Sequence, residues 1–317
     1  MRTLVPVALL AAAAGGAVYA CLPADDRPPP ASLTVTVSPS PKTLGGFDTS
    51  DGWSVRFDRV LMGFGGASLS DTCTAYSEAN YDRIFDLGSD APQKVSTLYA
   101  IGECDMRFRV GVPSSDALLG ERVDDADKTR MRTPGSDPYL PIGGISLEVS
   151  GTGKKAGVQK TFHFTFRPRV RFDRCGIEVD GGVADAGSSV SLKSGEVQQA
   201  NVRIEAESLF RDSTNANLSH FRFDPFAAAD TNGDGEITLD ELRLLPVSAL
   251  TDAGPFDTTL NSSEDTPDAT VDRPGRTVRI ESVGDFMYIM LMPLLPRLRD
   301  TLRCRSSVQL PRADAGR

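Results

Sequence analysis

Apolar and polar residues alternate one for one in several separate stretches of this chain, and a period of two admits few architectures. Leu33, Val35 and Val37 are interleaved with polar residues, as are Trp53, Val55 and Phe57, and Met106, Phe108 and Val110. The same holds for Ile145, Leu147 and Val149, for Phe162, Phe164 and Phe166, and for Val202, Ile204 and Ala206. Successive side chains of a strand point to opposite faces, so each stretch presents one apolar and one wet face. One wet face per strand suits antiparallel sheets. Between the stretches lie the turn signals Gly45-Gly46, Asp51-Gly52, Pro134-Gly135, Gly143-Gly144 and Asp180-Gly181-Gly182. The pattern predicts a mainly β fold, an antiparallel β-sandwich over residues 31–210. With 29 Gly and 21 Pro among 317 residues, and 40% hydrophobic content, composition agrees with a turn-rich globular chain.

The character changes near residue 220. Asp224-Pro225 reads as a helix start, with Asp as N-cap and Pro in the first turn. Leu239, Leu242 and Leu245 stand at helical spacing within a segment bounded at 211–250. Residues 251–275 are polar and acidic, with Pro255, Pro267 and Pro274, and read as a mobile loop. Residues 276–305 read as a short strand at Thr277–Ile280, then a helical pattern from Asp285 to Leu302 interrupted at Pro293 and Pro296. The apolar run Phe286–Leu295 is too short to span a bilayer and is expected to pack on the sandwich. Residues 306–317 read as a disordered tail.

Residues 1–20 read as a secretory signal peptide, with Arg2 in the n-region, an apolar core from Leu4 to Ala14, and Val18-Tyr19-Ala20 before the cut. Cys21 follows. Small or apolar residues before a cysteine resemble the lipobox of bacterial lipoproteins. The resemblance implies that Cys21 becomes the lipidated first residue and anchors the protein to a membrane of the cell envelope, at the periplasm or cell surface. Without lipidation the same cut gives a secreted protein. Residues 21–30 form a Pro-rich tether. Five cysteines are an odd number, and lipidating Cys21 leaves Cys73, Cys104, Cys175 and Cys304 for two disulfides in an oxidising compartment. Proximity in sequence pairs Cys73 with Cys104, and Cys175 with Cys304, the second bond then stapling the C-terminal helix to the sheet. Four cysteines allow three connectivities, so the pairing is an expectation.

The stretch Asp230-Thr231-Asn232-Gly233-Asp234-Gly235-Glu236-Ile237-Thr238-Leu239-Asp240-Glu241 matches the EF-hand calcium loop. Ca²⁺ is a hard cation that takes six to eight oxygens. Asp230, Asn232 and Asp234 supply side-chain oxygens at alternate positions, and Gly235 permits the sharp turn after them. The Glu236 carbonyl is the next ligand, Thr238 stands where a ligand often acts through water, and Glu241 can close the shell with both oxygens. Ile237 is the apolar position that in EF-hands packs inward beside a partner loop. No second loop of this quality follows, so the resemblance implies weak, structural Ca²⁺ of the extracellular range rather than a sensor.

Other signals carry less. A net charge of −9 argues against nucleic acid. Gly151-Thr152-Gly153-Lys154-Lys155 lacks phosphate-loop spacing and reads as a hairpin turn. Two histidines, His163 and His220, with cysteines committed to disulfides, do not assemble a zinc or copper site. No Gly-x-Ser-x-Gly elbow occurs, and Trp53 reads as core. Arg167, Arg169 and Arg171 alternate with Pro168, Val170 and Phe172, a solvated strand face first and a stripe for acidic partners second. The expectation is a non-enzymatic, calcium-binding, exported envelope protein in which Ca²⁺ stabilises the C-terminal segment and the protein partner is open. A periplasmic hydrolase with a structural calcium site, or a structural or adhesive surface module, is the alternative.

Overall fold

The structure is a computed structural model that describes residues 28–69, 73–78, 81–135, 143–179, 182–184, 190–214, 219–250 and 280–309. The leader, Cys21, the acidic stretch 251–275 and most of the Thr277–Ile280 segment lie outside the described residues. Ile280 itself is buried but not in a strand.

The chain enters β1 (Ala31–Pro39), makes a short helix α1 (Pro41–Gly45) and the two-residue β2 (Phe47–Asp48), and then runs the long β3 (Ser54–Leu69). After β4 (Thr74–Glu78) and β5 (Arg83–Asp86), β6 (Gln93–Cys104) passes through Asp105 alone into β7 (Met106–Val110). The two-residue β8 (Leu118–Leu119) and α2 (Asp125–Arg132) precede the hairpin of β9 (Leu147–Lys155) and β10 (Val158–Phe166), followed by β11 (Arg169–Val179). Short β12 (Gly182–Ala184) and β13 (Val190–Leu192) lead to β14 (Val197–Ile204) and a 3₁₀ turn, Ala206–Phe210. The C-terminal part holds α3 (Asp224–Ala228), β15 (Glu236–Thr238), α4 (Leu239–Leu244), α5 (Val283–Asp285), β16 (Pro296–Leu298) and β17 (Arg303–Gln309).

These strands form two sheets. One follows the order β13-β6-β1-β14-β16, with β4 also on β6; the other follows β12-β11-β7-β3-β9-β10-β15, with β17 on β11. Leu33, Val35, Val202 and Ile204 of the first sheet and Phe64, Phe108, Phe162 and Phe166 of the second belong to one buried cluster. The alternation explains this: in β7, in β1 through Val37 and in β9 through Gly153, every second residue is buried and those between are half exposed. Burying an aromatic or branched side chain stabilises by about 1.5–3 kcal/mol, so the two inner faces, once opposed, hold each other.

The expectation of purely antiparallel sheets needs correcting. β1 and β14 pair in parallel over Ser32–Pro39 and Val197–Ile204. A parallel pair needs a long crossover, and the chain between these strands, which builds most of the larger sheet, supplies it. A half-wet strand has the same period whichever way its neighbour runs.

The C-terminal pattern also differs from expectation. After α5 the backbone widens into a π-helical turn at Phe286–Leu291 and tightens to 3₁₀ at Met292–Leu294. Met292 and Leu295, the residues before the two prolines, keep helical dihedrals, but Pro293 and Pro296 have no N–H to donate to a helical ladder, and the chain leaves the helix and becomes β16. β17 then pairs with β11, so Ser306–Gln309 are strand residues rather than tail. The disulfides join Cys73 to Cys104 and Cys175 to Cys304. The second bond therefore staples β17 to β11 within one sheet, not a helix onto it. Two such bonds fit an oxidising compartment. Among the described residues no helix is long and apolar enough to cross a membrane.

Pro28–Pro30, expected in the tether, lie against the domain. The Pro28 carbonyl accepts from the Tyr76 hydroxyl at 2.9 Å, and the Pro29 carbonyl from the Ser194 hydroxyl at 2.8 Å. The Gly151–Lys155 stretch is strand, and the hairpin turn falls at Ala156-Gly157, both with positive φ.

Candidate functional site

The 230–241 loop hangs from one edge of the larger sheet by three anchors. Its incoming arm, α3, buries Phe223 and Phe226 in an aromatic cluster. Phe223 lies 4.8 Å from Trp53 and 5.7 Å from Phe210, and Phe226 lies 5.1 Å from Phe210, centroid to centroid. The expected Asp224 N-cap is displaced by one residue. Phe223 takes that position, and the carboxylate of Asp51 accepts the backbone amides of Phe223 and Asp224, each at 2.8 Å. Asp224 instead accepts from Trp53 Nε1 at 2.6 Å and pairs with Lys155 at 2.7 Å.

The middle anchor is β15, which adds to β10 in parallel, Ile237 opposite Phe162. Ile237 is fully buried. The sheet edge thus supplies the strand against which this part of the loop is held. The outgoing arm, α4, buries Leu239 and Leu242, and the chain beyond it is held to α5 through Val283 N to the Leu245 carbonyl at 2.9 Å.

Within the loop the backbone winds around its own side chains. Asp230 accepts the amides of Gly233 at 2.9 Å and Gly235 at 3.0 Å, Asn232 accepts that of Asp234 at 2.9 Å, and Asp234 accepts that of Glu236 at 2.8 Å. Gly235 has φ of 85°, the left-handed region that favours glycine. Asn232 and Asp234 are brought together, Nδ2 to Oδ2 at 2.9 Å.

The remaining expected ligands are engaged elsewhere. The Asp230 carboxylate pairs with Lys160 of β10, whose contact holds that carboxyl below its ordinary range. Glu241 turns back to the start of its own helix, where Oε2 accepts from the Thr238 amide at 2.8 Å and hydroxyl at 3.0 Å. Thr238 and Glu241 thereby form a capping box. Among the described residues no group of three or more His, Cys, Asp or Glu side chains converges as a metal site.

Two observations nonetheless suit a hard cation. Every side-chain or carbonyl donor of the set is oxygen, apart from the amide nitrogen of Asn232, which excludes soft-metal chemistry. The other Glu241 oxygen, Oε1, is buried without a hydrogen-bond partner. A buried carboxylate oxygen left unpaired is costly, and a cation contact would satisfy it.

The Glu236 side chain, free of the ligand role, reaches an ion-pair chain that sequence reasoning missed. Glu236 lies 3.8 Å from His163, and His163 Nε2 lies 3.0 Å from Glu148. Glu148 then pairs with Arg130 at 3.0 Å, Arg130 with Asp127 at 2.9 Å, and Asp127 with Arg59 at 2.6 Å. The Glu148 contact raises the His163 pKa against its burial. Burial pushes Asp127 up, but Arg59 and the Asp124 amide override it and hold that carboxyl at about 2. This chain fastens α2 to the outer face of the sheet. Its one local signal was the acidic run Asp124–Asp127, which forms the capping box of α2.

His220 is exposed beside Asp212, 3.6 Å away. An open hollow of about 550 Å³ lies at the β9–β10 turn, lined by Asp48, Trp53, Lys154, Lys155 and Gln159 among others, with neither histidine in it. Comparison of the chain with protein-family models, with curated proteins and with solved structures found no match.

Proposed function

We propose that this is an exported, calcium-binding β-sandwich protein of the cell envelope, anchored through a lipid on Cys21, in which Ca²⁺ stabilises the C-terminal segment rather than serving catalysis. The carrying observation is the buried, unpartnered Glu241 Oε1 at the end of a loop whose residue spacing resembles an EF-hand. Asp230, Asn232, Asp234, the Glu236 carbonyl, Thr238 and Glu241 would hold the ion. The ion supplies charge neutralisation and cross-linking: it would join the loop held by α3 and β15 to the first turn of α4. Because α4 packs on α5, order in the loop would pass to the segment that leads into β16 and β17.

The non-catalytic reading draws support from where the histidines stand. A hydrolase needs a base and a nucleophile or paired carboxylates converging in a cleft. His163 belongs to an ion-pair chain on an open sheet face, and the hollow at the β9–β10 turn has lysines and an indole rather than paired acids.

A calorimetric Ca²⁺ titration with excess Mg²⁺ tests the proposal, run beside Glu241→Gln. One-site binding that disappears in the variant is expected. At free Ca²⁺ one hundred times its Kd, binding stabilises the fold by about 2.7 kcal/mol. Identical melting of the wild type with and without saturating Ca²⁺ would refute it.

A further inference from the structure

Four arginines crowd the outward face where β7 and β11 lie side by side. On β7, Met106, Phe108 and Val110 are buried, which turns Arg107 and Arg109 outward. On β11, Val170 and Phe172 are buried and Arg169 and Arg171 are exposed. The register sets Arg171 directly opposite Arg109. Like charges directly opposite each other destabilise a sheet, so this placement works against the fold.

The surroundings compensate only in part. Asp82 pairs with Arg109 at 2.6 Å, and Asp173 lies 3.6 Å from Arg171. Arg169 has no ion-pair partner among the described residues, and Arg107 Nε is buried without a hydrogen bond. Burial first, and then the Arg109 charge, push the Arg169 guanidinium below its ordinary value, against the opposing pull of Asp82. The Arg109 stem lies across Gly65 of β3, where an added Cβ would come within 2.1 Å of Nε, so the guanidinium is held low along the face. A cationic plane of this kind stands out in a chain of net charge −9.

Guanidinium groups pair bidentately with phosphate oxygens, and a sheet face offers a plane rather than a pocket. The topology says which phosphates are near. Ala31 pairs with Ala100 on β6, and β6 runs on through Asp105 into β7, so β7 begins at the end of the domain where the chain enters. Only six residues lie between Cys21 and Pro28, so seven Cα–Cα steps join them. They reach about 25 Å at full extension.

We propose that Arg107, Arg109, Arg169 and Arg171 form a docking face for the phosphates of an anionic phospholipid bilayer, laying the domain against the membrane that Cys21 anchors. This rests on the Cys21 reading, so the test removes the anchor. The full chain carrying Cys21→Ser is mixed with vesicles of phosphatidylglycerol and phosphatidylethanolamine, and separately with phosphatidylcholine, and sedimented. Binding to the anionic vesicles alone is expected, falling about fivefold per neutralised arginine and about 25-fold in Arg169→Gln/Arg171→Gln. Lys94→Gln/Lys154→Gln, which changes exposed charges away from this face and from the chain-entry end, should leave binding unchanged. High salt should abolish it.

Equal sedimentation of the arginine double variant, or no sedimentation of the Cys21→Ser chain with anionic vesicles, overturns the proposal. Should the double variant fail to fold, Arg171→Gln alone and the salt dependence of the unmodified face decide. Lipid labelling of the wild type at Cys21 reads the anchor separately, so loss of one reading is not mistaken for loss of the other.

Discussion

The sheets and the C-terminal segment are held together by different means. In the sheets, each strand's apolar face opposes another strand's, and long registers such as β3 with β9 or β1 with β6 satisfy the backbone. The C-terminal segment is made of pieces too short to stand alone: α3 has five residues, β15 three and α4 six. Isolated helices shorter than about 12–15 residues are marginal in water. What fixes these pieces is tertiary: the Phe223 and Phe226 rings, the Ile237 insertion, the α4–α5 contact and the Cys175–Cys304 bond. The lesson is that the sheet body is specified by pattern and the C-terminal segment by attachment.

Cutting attachments should therefore harm the second region out of proportion to the first. The disulfides make the largest contrast. Cys175–Cys304 spans 129 residues, and its removal is expected to cost up to about 5 kcal/mol on the chain-entropy model. Cys73–Cys104 spans 31 residues, and the same model gives about 3.7 kcal/mol. Chemical denaturation of the two Cys→Ala pairs measures the difference, and hydrogen exchange should show β17 opening first in the Cys175/Cys304 variant. Equal losses from the two pairs would mean that β17 is held by its pairing with β11 alone.

Phe223→Ala comes next. The ring touches Trp53, Phe162 and Phe210, so truncation is expected to cost about 3–5 kcal/mol. If attachment specifies the segment, protection of α3, the 230–241 loop and α4 should fall while β3 and β9 stay protected. A uniform loss across both regions would show that the molecule melts as one unit.

Legibility in the sequence divides along the same line. The alternating strands were legible because burial and period are one fact: Leu33, Val35 and Val37 point inward as the pattern requires. The parallel pairing of β1 and β14 was not, because direction leaves no mark on a half-wet strand. β17 was readable in principle, since Cys304, Ser306 and Val308 are its buried alternate residues, but the leucines before it suggested a helix. In the loop, spacing led to a sharp turn at Gly235, and that residue has a positive φ. Spacing could not predict Lys160, which meets Asp230 from a position 70 residues away and carries no local signal. Nor did it predict that Glu241 would cap its own helix, because the calcium motif and the capping box use the same Thr and Glu. The charged chain from His163 to Arg59 escaped for the reason Lys160 did: its members meet only once the strands are in register.

Lys160 turns that gap into a measurement at the join of the two regions. Its ammonium, carried by the sheet, sits at the carboxylate expected to be the first calcium ligand. Partly exposed ion pairs are worth about 0–1 kcal/mol, so Lys160→Gln should tighten Ca²⁺ binding by up to about fivefold. It should also lower apo stability slightly. An unchanged or weaker affinity would place the ion away from Asp230.

The smallest effect probes a buried acid network near α1. The Glu207 carboxyl is 5% exposed and takes hydrogen bonds from the Ser40 and Thr43 hydroxyls, each at 2.8 Å. Burial raises its pKa against those hydroxyls. A raised native pKa means that the folded state binds the proton more tightly than the unfolded chain. That contribution to stability is complete below the ordinary glutamate range and is lost as pH rises through the native value. Carboxylates held low by ion pairs, such as Asp127 and Glu148, give the opposite slope, so the whole-protein curve mixes both. Subtracting the Glu207→Gln curve isolates the contribution of Glu207: wild type minus variant should fall with rising pH above the ordinary glutamate range. Because Ser40 caps α1 and Glu207 stands in the 3₁₀ turn after β14, the network ties the two parallel strands' C-terminal ends together. A difference curve that stays flat would mean that Glu207 is charged in the folded protein, and that the hydroxyls, not a shared proton, hold the ends of β1 and β14.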